Sequence, residues 1–305
     1  MKKIRELVNQ LQLADIPLKQ GELLCRHTSF RIGGPVSVML FPEHEGQLQS
    51  ALRICGEFGV QPLVLGAGTN VLAPDGGLDT VVIETRTNMN RVQDLGGGMI
   101  SAQAGAALSK VATLAAELGY TGLEFAHGIP GTVGGGVYMN AGAYGGELVQ
   151  VLHDVSVMSR SGRIEVLPVE ELELSYRHSC FMEEDRVILS ARFWLAQGDT
   201  TEIKAKMTDL MNRRRSSQPL EYPSAGSTFK RPATGYAAAL IEQSGLKGFS
   251  IGGAQVSAKH AGFVINTGSA TAKDVTELMA EVRRIVLEKT GVELEPEVRL
   301  MEAKR

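Results

Sequence analysis

Cysteine and long apolar runs are scarce in this chain of 305 residues. The three cysteines, Cys25, Cys55 and Cys180, are far apart and form no Cys-x-x-Cys pair. This sparse, odd number argues against a disulfide framework and is typical of reduced thiols in a cytoplasm. No apolar run approaches the ~20 residues of a membrane helix, and the first residues are charged where a signal peptide needs an apolar run. We therefore expect a soluble cytoplasmic protein without a membrane partner.

An excess of charge is also missing. The 31 lysine and arginine residues nearly balance 34 aspartate and glutamate residues, which leaves a net charge of −3. Such a chain has no global cationic field, so we expect no nucleic-acid partner. Any basic site must be local. The cluster Arg213-Arg214-Arg215, with Lys230 and Arg231 farther on, is typical either of a solvated helix face or of a phosphate site.

Common nucleotide-binding motifs are absent as well. Gly66-x-Gly68 resembles the start of a Rossmann fingerprint, but position 71 is valine where the third glycine belongs. Pro74 then interrupts the helix whose first turn would hold a pyrophosphate. No glycine is followed by the Gly-Lys-Ser/Thr of a P-loop. A doubly wound dinucleotide domain is therefore not expected.

The six histidines show no pairing with carboxylates at helical or strand spacing, so we expect no metal site. His178 and Cys180 are two residues apart, which on a strand only means a shared face. Nothing else in the chain completes a nucleophilic triad with them.

Glycine is the abundant residue. Residues 128–146 carry eight glycines in nineteen positions. Since glycine inside a helix or strand costs about 0.5–1 kcal/mol relative to alanine, we expect no ordinary helix or strand there. A ligand in close contact with the main chain explains this composition. Phosphate or pyrophosphate is the usual ligand of a concave site built from main-chain N–H groups. A surface loop, or glycines that let two backbones pack, is the alternative.

A second glycine-centred turn lies about sixty residues earlier, where an apolar strand at 62–65 runs into Gly66-Ala-Gly68-Thr-Asn70. Two such segments can hold one extended ligand from both sides.

Apolar periodicity predicts an α+β protein with a small β-α-β unit first and a largely antiparallel sheet after it. Helices are predicted at 3–13, 45–58, 106–118, 201–215, 236–244 and 273–289. Strands are predicted at 36–41, 62–65, 80–84, 100–104, 149–158, 163–167, 187–195, within 256–265 and at 297–301. The charged helix at 201–215 marks the passage into a further domain.

Three polar positions suit chemistry. Arg177, after a strand, can present a guanidinium to an anion, or can form a surface ion pair. Ser227 lies in a proline-rich loop that can aim its hydroxyl, although a turn or cap serine is the alternative. Glu295 and Glu297 share one face if the last strand is regular, and a solvated edge is the alternative.

Taken together, several segments closely resemble the UDP-N-acetylenolpyruvoylglucosamine reductase family, in its compact form, over nearly the whole chain. Each segment is weak evidence alone, but their joint occurrence in this order is very specific. They are Thr28-Ser-Phe-Arg31-Ile-Gly-Gly, Leu65-Gly-Ala-Gly-Thr-Asn70, Gly128-Ile-Pro-Gly-Thr-Val-Gly-Gly, Tyr138-Met-Asn-Ala-Gly-Ala-Tyr144-Gly, Tyr176-Arg177, Ala225-Gly-Ser227-x-Phe-Lys230 and Glu295-Pro-Glu297-Val.

The resemblance implies a two-subdomain FAD-binding fold of the vanillyl-alcohol oxidase type, followed by a C-terminal α+β substrate-binding domain. The implied bounds are 1–68 and 69–199 for the FAD-binding subdomains and 200–305 for the substrate domain, with the strand at 297–301 returning toward the FAD domain. FAD is then bound non-covalently, and NADPH is the hydride donor. The implied cofactor contacts are Gly66, Ala67, Gly68, Thr69, Asn70, Gly105, Gly128, Ile129, Pro130, Gly131, Gly134, Gly135, Asn140, Ala141 and Gly142.

The resemblance also implies catalytic roles for Arg177, Ser227 and Glu297, and substrate contacts for Arg177, Ser227 and Lys230. Arg177 and Glu297 stabilise negative charge on the enolpyruvyl group of the implied substrate, UDP-N-acetylglucosamine enolpyruvate, and Ser227 supplies a proton. The family motif selects Glu297, whereas strand spacing leaves Glu295 equivalent. At Arg231, relatives often have asparagine, so no substrate contact is carried over. Oligomeric state is left open.

Two other functions fit parts of the sequence. An alcohol or sugar oxidase of the same flavin fold would use a residue such as His127 for covalent attachment, but it leaves the catalytic set without a role. A nucleotide-sugar-binding regulator predicts erosion at the reacting positions, and all three are present.

Overall fold

Residues 2–303 are described by a computed structural model, in which seven helices and eighteen strands alternate along the chain. The helices are α1 (Lys2–Leu13), α2 (Glu45–Glu57), α3 (Leu108–Glu117), α4 (Val133–Tyr138), α5 (Thr200–Ser217), α6 (Ala237–Gln243) and α7 (Ala272–Thr290). The strands are β1 (Leu18–Leu23), β2 (Pro35–Leu40), β3 (Leu63–Leu65), β4 (Val71–Leu72), β5 (Leu78–Glu84), β6 (Val92–Gly96), β7 (Met99–Gln103), β8 (Tyr120–Thr121), β9 (Gly142–Ala143), β10 (Gly146–Glu147), β11 (Leu152–Ser159), β12 (Ile164–Pro168), β13 (Arg186–Trp194), β14 (Ala196–Gln197), β15 (Ser250–Ile251), β16 (Ala254–Val256), β17 (Val264–Asn266) and β18 (Arg299–Leu300). The α+β fold is confirmed.

The first sheet has the strand order β1-β2-β5-β3. Strand β1 runs antiparallel to β2, whereas β2 and β3 both run parallel to β5. The predicted β-α-β unit is therefore present, with β5 inserted between its two strands. Helices α1 and α2 bury Leu7, Leu11, Leu48 and Leu52 in the core that they share with this sheet. Strand β3 ends at Leu65, so the sheet fixes where the first glycine segment begins.

The second sheet is antiparallel throughout, as predicted, in the order β12-β11-β13-β7-β6. Its core also takes side chains from α3, α4 and α5. Helix α5 contributes Ile203 and Met207 to this core, and its Lys206 pairs with Glu124. The helix at the passage into the last domain thus packs on the second sheet.

The last part of the chain forms the three-stranded antiparallel sheet β15-β16-β17, covered by α6 and α7. Helix α7 ends as predicted at Gly291, whose φ of 71° is the left-handed conformation of a helix C-cap. Strand β18 then pairs in parallel with β4, and Arg299 lies opposite Val71. The chain end is thereby held beside the first glycine segment.

One element prediction is wrong, and another is confirmed only in part. A short helix, α4, does form within the glycine-rich segment, because Thr132 caps it and its glycines permit close packing. A methyl group at Gly134 would lie 2.9 Å from the Ala104 Cβ, and one at Gly136 would lie 3.0 Å from the Leu108 side chain. The predicted strand 297–301 starts late, because the Glu297 N–H donates to the Thr228 carbonyl instead of to a sheet neighbour. Among the described helices, none has the length and apolarity that crossing a membrane requires.

Candidate active site

The first glycine segment, residues 66–70, leaves its main-chain amides free. No N–H group from Gly66 to Asn70 finds a main-chain acceptor within residues 2–303. Gly68 is buried and has a φ of +61°, and a methyl group there would lie 2.1 Å from the His27 carbonyl oxygen. Only Gly68 of these five residues is buried, and the other four are partly exposed, so this run of five free donors is accessible to a ligand that can accept from them.

The second glycine segment lies directly against the first. A methyl group at Gly66 would lie 2.2 Å from the Thr132 Oγ1, and one at Gly131 would lie 3.4 Å from the Thr69 Oγ1. Only glycine at position 66 allows this approach. The tertiary structure thus brings together two segments that are about sixty residues apart in sequence.

The predicted cofactor contacts fall into two groups. The N–H groups of Gly66, Ala67, Gly68, Thr69, Asn70, Gly128 and Gly131 have no main-chain acceptor among the described residues. Those of Gly105, Ile129, Gly134, Asn140 and Ala141 donate to main-chain carbonyls, and that of Gly135 donates to the Thr132 hydroxyl. Pro130 has no N–H, and the Gly142 carbonyl accepts from Arg177. The first group offers free donors to a ligand, while the second group is engaged in hydrogen bonds within the protein.

Arg177 lies at the tip of a tight turn. Ser175 and His178 exchange two main-chain hydrogen bonds, and Arg177 has a φ of +56°. The fully buried Asn140 donates to the Ser175 carbonyl at 3.0 Å, which fixes the base of the turn. The Tyr176 hydroxyl accepts from the Arg231 N–H at 3.1 Å. This turn of the second sheet unit is therefore attached to the loop that carries Ser227.

Arg177 and Glu297 form the central ion pair of the site. The Arg177 Nε donates to the Glu297 Oε1 at 2.6 Å, and its Nη2 donates to the Gly142 carbonyl at 3.3 Å. The two side chains are only 18% and 12% exposed. The Asn70 side-chain amide donates to the Glu297 carbonyl at 3.1 Å, so the pair lies at the edge of the first glycine segment.

The structure distinguishes the two glutamates that strand spacing left equivalent. Glu295 is 68% exposed and pairs with Lys230 at 2.5 Å, whereas Glu297 is largely buried. Burial raises the pKa of the Glu297 carboxyl, and this effect prevails over Arg177 and Lys230, which lower it. Glu297 is thus the group that faces Arg177, and it is shifted toward the protonated form.

Ser227 is exposed, and it lies in a loop whose main chain is hydrogen-bonded to two other segments. Its neighbour Thr228 donates its N–H to the Gly262 carbonyl at 2.8 Å and accepts at its own carbonyl from the Glu297 N–H at 2.8 Å. The Ser227 hydroxyl takes part in no hydrogen bond in the described part of the chain. Arg177 and Glu297 are therefore hydrogen-bonded to each other, and Ser227 is held near them only through its neighbour Thr228, whose carbonyl accepts from the Glu297 N–H.

Sequence reasoning missed the supporting roles that three residues have in this arrangement. Thr132 caps α4 and packs on Gly66, Tyr176 bridges to Arg231, and Asn140 anchors the Arg177 turn. A threonine directly before an apolar residue is a capping signal that could have shown Thr132. The roles of the other two depend on tertiary contacts alone.

The structure also bears on Cys180 and His178, the two neighbouring residues considered in the sequence analysis. Burial raises the pKa of the Cys180 thiol to about 11, so it stays protonated near neutral pH and is no nucleophile. His178, for which spacing predicts no carboxylate partner, has ligand atoms within 4.8 Å of those of Glu173 and Glu183. Both glutamates are exposed, and such carboxylates are common at protein surfaces without an ion.

Comparison with known proteins agrees with this geometry. The family model described as "FAD binding domain" matches residues 36–167, and the C-terminal domain of UDP-N-acetylenolpyruvoylglucosamine reductase matches residues 218–301. The chain is 48% identical to UDP-N-acetylenolpyruvoylglucosamine reductase of Clostridium novyi (strain NT), over 93% of this chain and 92% of the relative. It is 44% identical to that of Syntrophomonas wolfei, over 93% of this chain and 95% of the relative.

The fold agrees as well. A crystal structure of UDP-N-acetylenolpyruvylglucosamine reductase from Thermus caldophilus superposes on this chain with a TM-score of 0.80, at 33% sequence identity. The match covers 93% of this chain and 99% of the Thermus caldophilus chain. These matches span both the glycine segments and the C-terminal unit. The chain therefore belongs to the UDP-N-acetylenolpyruvoylglucosamine reductase family.

Proposed function

We propose that this protein reduces the enolpyruvyl ether of UDP-N-acetylglucosamine enolpyruvate to UDP-N-acetylmuramate, a precursor of peptidoglycan, with NADPH as hydride donor and FAD held without a covalent bond. The observation that carries the proposal is the 2.6 Å pair between Arg177 and Glu297 at the edge of the glycine segments. Family membership over more than nine tenths of the chain supports it.

The free amides of residues 66–70, together with those of Gly128 and Gly131, would hold the FAD diphosphate, because a concave array of N–H groups favours negative charge. Bound FAD supplies two-electron redox chemistry, by which hydride passes from NADPH to the terminal carbon of the enolpyruvyl group.

Arg177 and Glu297 act on the charge that this addition creates. Hydride addition places negative charge on the carbon that bears the carboxylate, and the charge spreads into that carboxylate as an enolate. The Arg177 guanidinium binds and stabilises this anion. Glu297 can help only as a protonated carboxyl, and its burial favours that form. Preorganised donors of this kind are worth roughly 10²–10³ in rate.

Ser227 holds the proton that completes the reduction, and delivers it to the carbon that bears the carboxylate. Its hydroxyl is exposed and makes no hydrogen bond with the described residues, so it is free to contact a substrate. Serine is a weak acid, and the cationic side chains of Arg177 and Lys230 lower the cost of its alkoxide. Lys230 itself pairs with Glu295, at a partly exposed position from which it can also contact the substrate.

An anaerobic absorbance titration tests the function. One equivalent of NADPH should bleach the flavin band of the purified protein, and UDP-N-acetylglucosamine enolpyruvate should restore it. A flavin that stays bleached until air enters would support the oxidase instead. Colour that remains with the denatured chain would show a covalent flavin and contradict the proposal.

Ser227→Ala tests the proton donor. We expect reduction of the flavin by NADPH to be unchanged, while reoxidation by the enolpyruvyl substrate slows by at least ~10²-fold. Ser224→Ala, in the same loop, is the matched control, because only the Ser224 main chain is engaged, accepting from the Ser29 hydroxyl. Equal loss of both half-reactions in Ser227→Ala would indicate misfolding or loss of FAD.

A further inference from the structure

The three consecutive arginines of α5 have different surroundings. Arg213 is 65% exposed and pairs with Asp209 one turn away, and Arg215 is also exposed. Arg214 points the other way, toward the glycine-rich segment. The sequence left open whether this cluster is a solvated helix face or a phosphate site, and the structure separates the two alternatives residue by residue.

Arg214 is a partly buried cation that forms no ion pair with a carboxylate of the described residues. A methyl group at Gly128 would lie 3.3 Å from the Arg214 Cδ and 3.9 Å from its Nη1. The guanidinium makes no hydrogen bond or ion pair within residues 2–303, and burial lowers the pKa of Arg214. Because a partly desolvated cation gains from an anionic partner, and the described residues offer Arg214 no carboxylate, this group is suited to bind an anionic ligand.

A second, independent observation lies next to Gly128. The His127 Nδ1 is buried and has no hydrogen-bond partner. His127 lines a cavity of about 400 Å³ together with α5 residues that include Met207, Met211 and Arg215. Unsatisfied buried polar atoms are rare in native proteins, and one beside an open cavity indicates a ligand in that space. The gap between α5 and the start of the glycine segment therefore belongs to a binding site.

We propose that the Arg214 guanidinium binds a negatively charged group of FAD beside Gly128, at the start of the second glycine segment. This inference rests on the proposed function, since it takes FAD as the ligand of the glycine segments. FAD carries negative charge at its diphosphate and, once reduced, at its flavin ring. A cation at either place would stabilise bound FAD. The two places have different effects on the midpoint potential.

The test compares Arg214→Met with Arg213→Met, a neighbour of equal charge that is 65% exposed and does not line the cavity. The FAD dissociation constant is measured on diluted holoenzyme from the fluorescence of released flavin, and the midpoint potential from a dye-coupled reduction. Arg214→Met should weaken FAD binding about 10- to 100-fold, the range for a lost charge-assisted hydrogen bond, while Arg213→Met should change it less than about 3-fold. Arg214→Lys, which keeps the charge without the planar fork, should be intermediate.

The midpoint potential shows whether Arg214 binds the diphosphate or the flavin ring. With the cation at the diphosphate, oxidised FAD binds more weakly and the midpoint potential stays constant. With the cation at the ring, the potential falls by about 30 mV for each tenfold loss of relative affinity for the reduced form.

Unchanged FAD affinity and potential in Arg214→Met would overturn the inference, and so would a change confined to the KM for the UDP-sugar. Wild-type protein that binds no FAD would instead refute the proposed function. Circular dichroism and melting of each variant show whether it has folded.

Discussion

We expect the coupling free energy between Arg177 and Glu297, the inner ion pair, to exceed that between Lys230 and Glu295, the outer ion pair. The inner pair joins side chains that are 18% and 12% exposed, whereas the outer side chains are 30% and 68% exposed. Two unit charges 4 Å apart attract by about 4 kcal/mol at an effective dielectric constant of 20, and by about 1 kcal/mol in water. After desolvation, we expect a coupling of about 2 kcal/mol for the inner pair and below about 1 kcal/mol for the outer pair.

Double-mutant cycles measure both couplings. Arg177→Met and Glu297→Gln, alone and combined, form one cycle, and Lys230→Met with Glu295→Gln forms the control. Free energies of unfolding come from urea titrations followed by circular dichroism and by fluorescence of the single tryptophan, Trp194. Coincident transitions by the two probes check that unfolding is two-state.

Salt provides a second distinction between the pairs. The outer coupling should vanish at high ionic strength, because solvent-exposed charges are screened, whereas the inner coupling should persist. The reasoning is refuted if the inner coupling does not exceed the outer one. In that case burial would not strengthen the pair, and the assignment of Glu297 over Glu295 would rest on the family motif alone.

Three further predictions concern the pKa of Glu297, a glycine and a buried amide. Since the folded-state pKa of Glu297 is raised, its contribution to stability should fall as pH rises from the ordinary glutamate range through that raised pKa, and reoxidation of the flavin by substrate should slow over the same interval. Urea titrations and stopped-flow traces across pH check this, and Glu297→Gln should remove the dependence. Gly68→Ala should destabilise the protein by more than about 1 kcal/mol and release FAD, because the φ is +61° and the added methyl would lie 2.1 Å from a carbonyl oxygen. Gly76→Ala, with no atom within 4 Å of the new methyl, is its control, and equal melting temperatures with equal flavin content would contradict the prediction. Asn140→Ala removes hydrogen bonds to the Ser175 carbonyl, the Glu147 carboxylate and the Val149 N–H, and should cost about 2–4 kcal/mol. Its substrate half-reaction should slow more than flavin reduction by NADPH, and equal slowing would show that the Arg177 turn does not depend on it.

Local patterns predicted most elements because their causes are local. Apolar side chains at helical spacing give α1, α2 and α3 within one to three residues, and the left-handed glycine at position 291 ends α7 as expected. The α+β fold and the family followed from short motifs in a fixed order. The glycine density predicted a bound ligand, and the structure shows the close main-chain approach that was the alternative explanation, since only a residue without Cβ permits such contacts.

Tertiary structure decided the rest, because those contacts join residues that are distant in sequence. Helix α4 forms despite its glycines, since Ala104 and Ala106 accept its first amides. Burial, which no local pattern encodes, separates Glu297 from Glu295. Arg214 differs from its two neighbours only because successive helical positions point about 100° apart, and one of the three directions meets Gly128. The sequence by itself determined the family and the residue types at the site, and the packing of three distant segments decided which of them face each other.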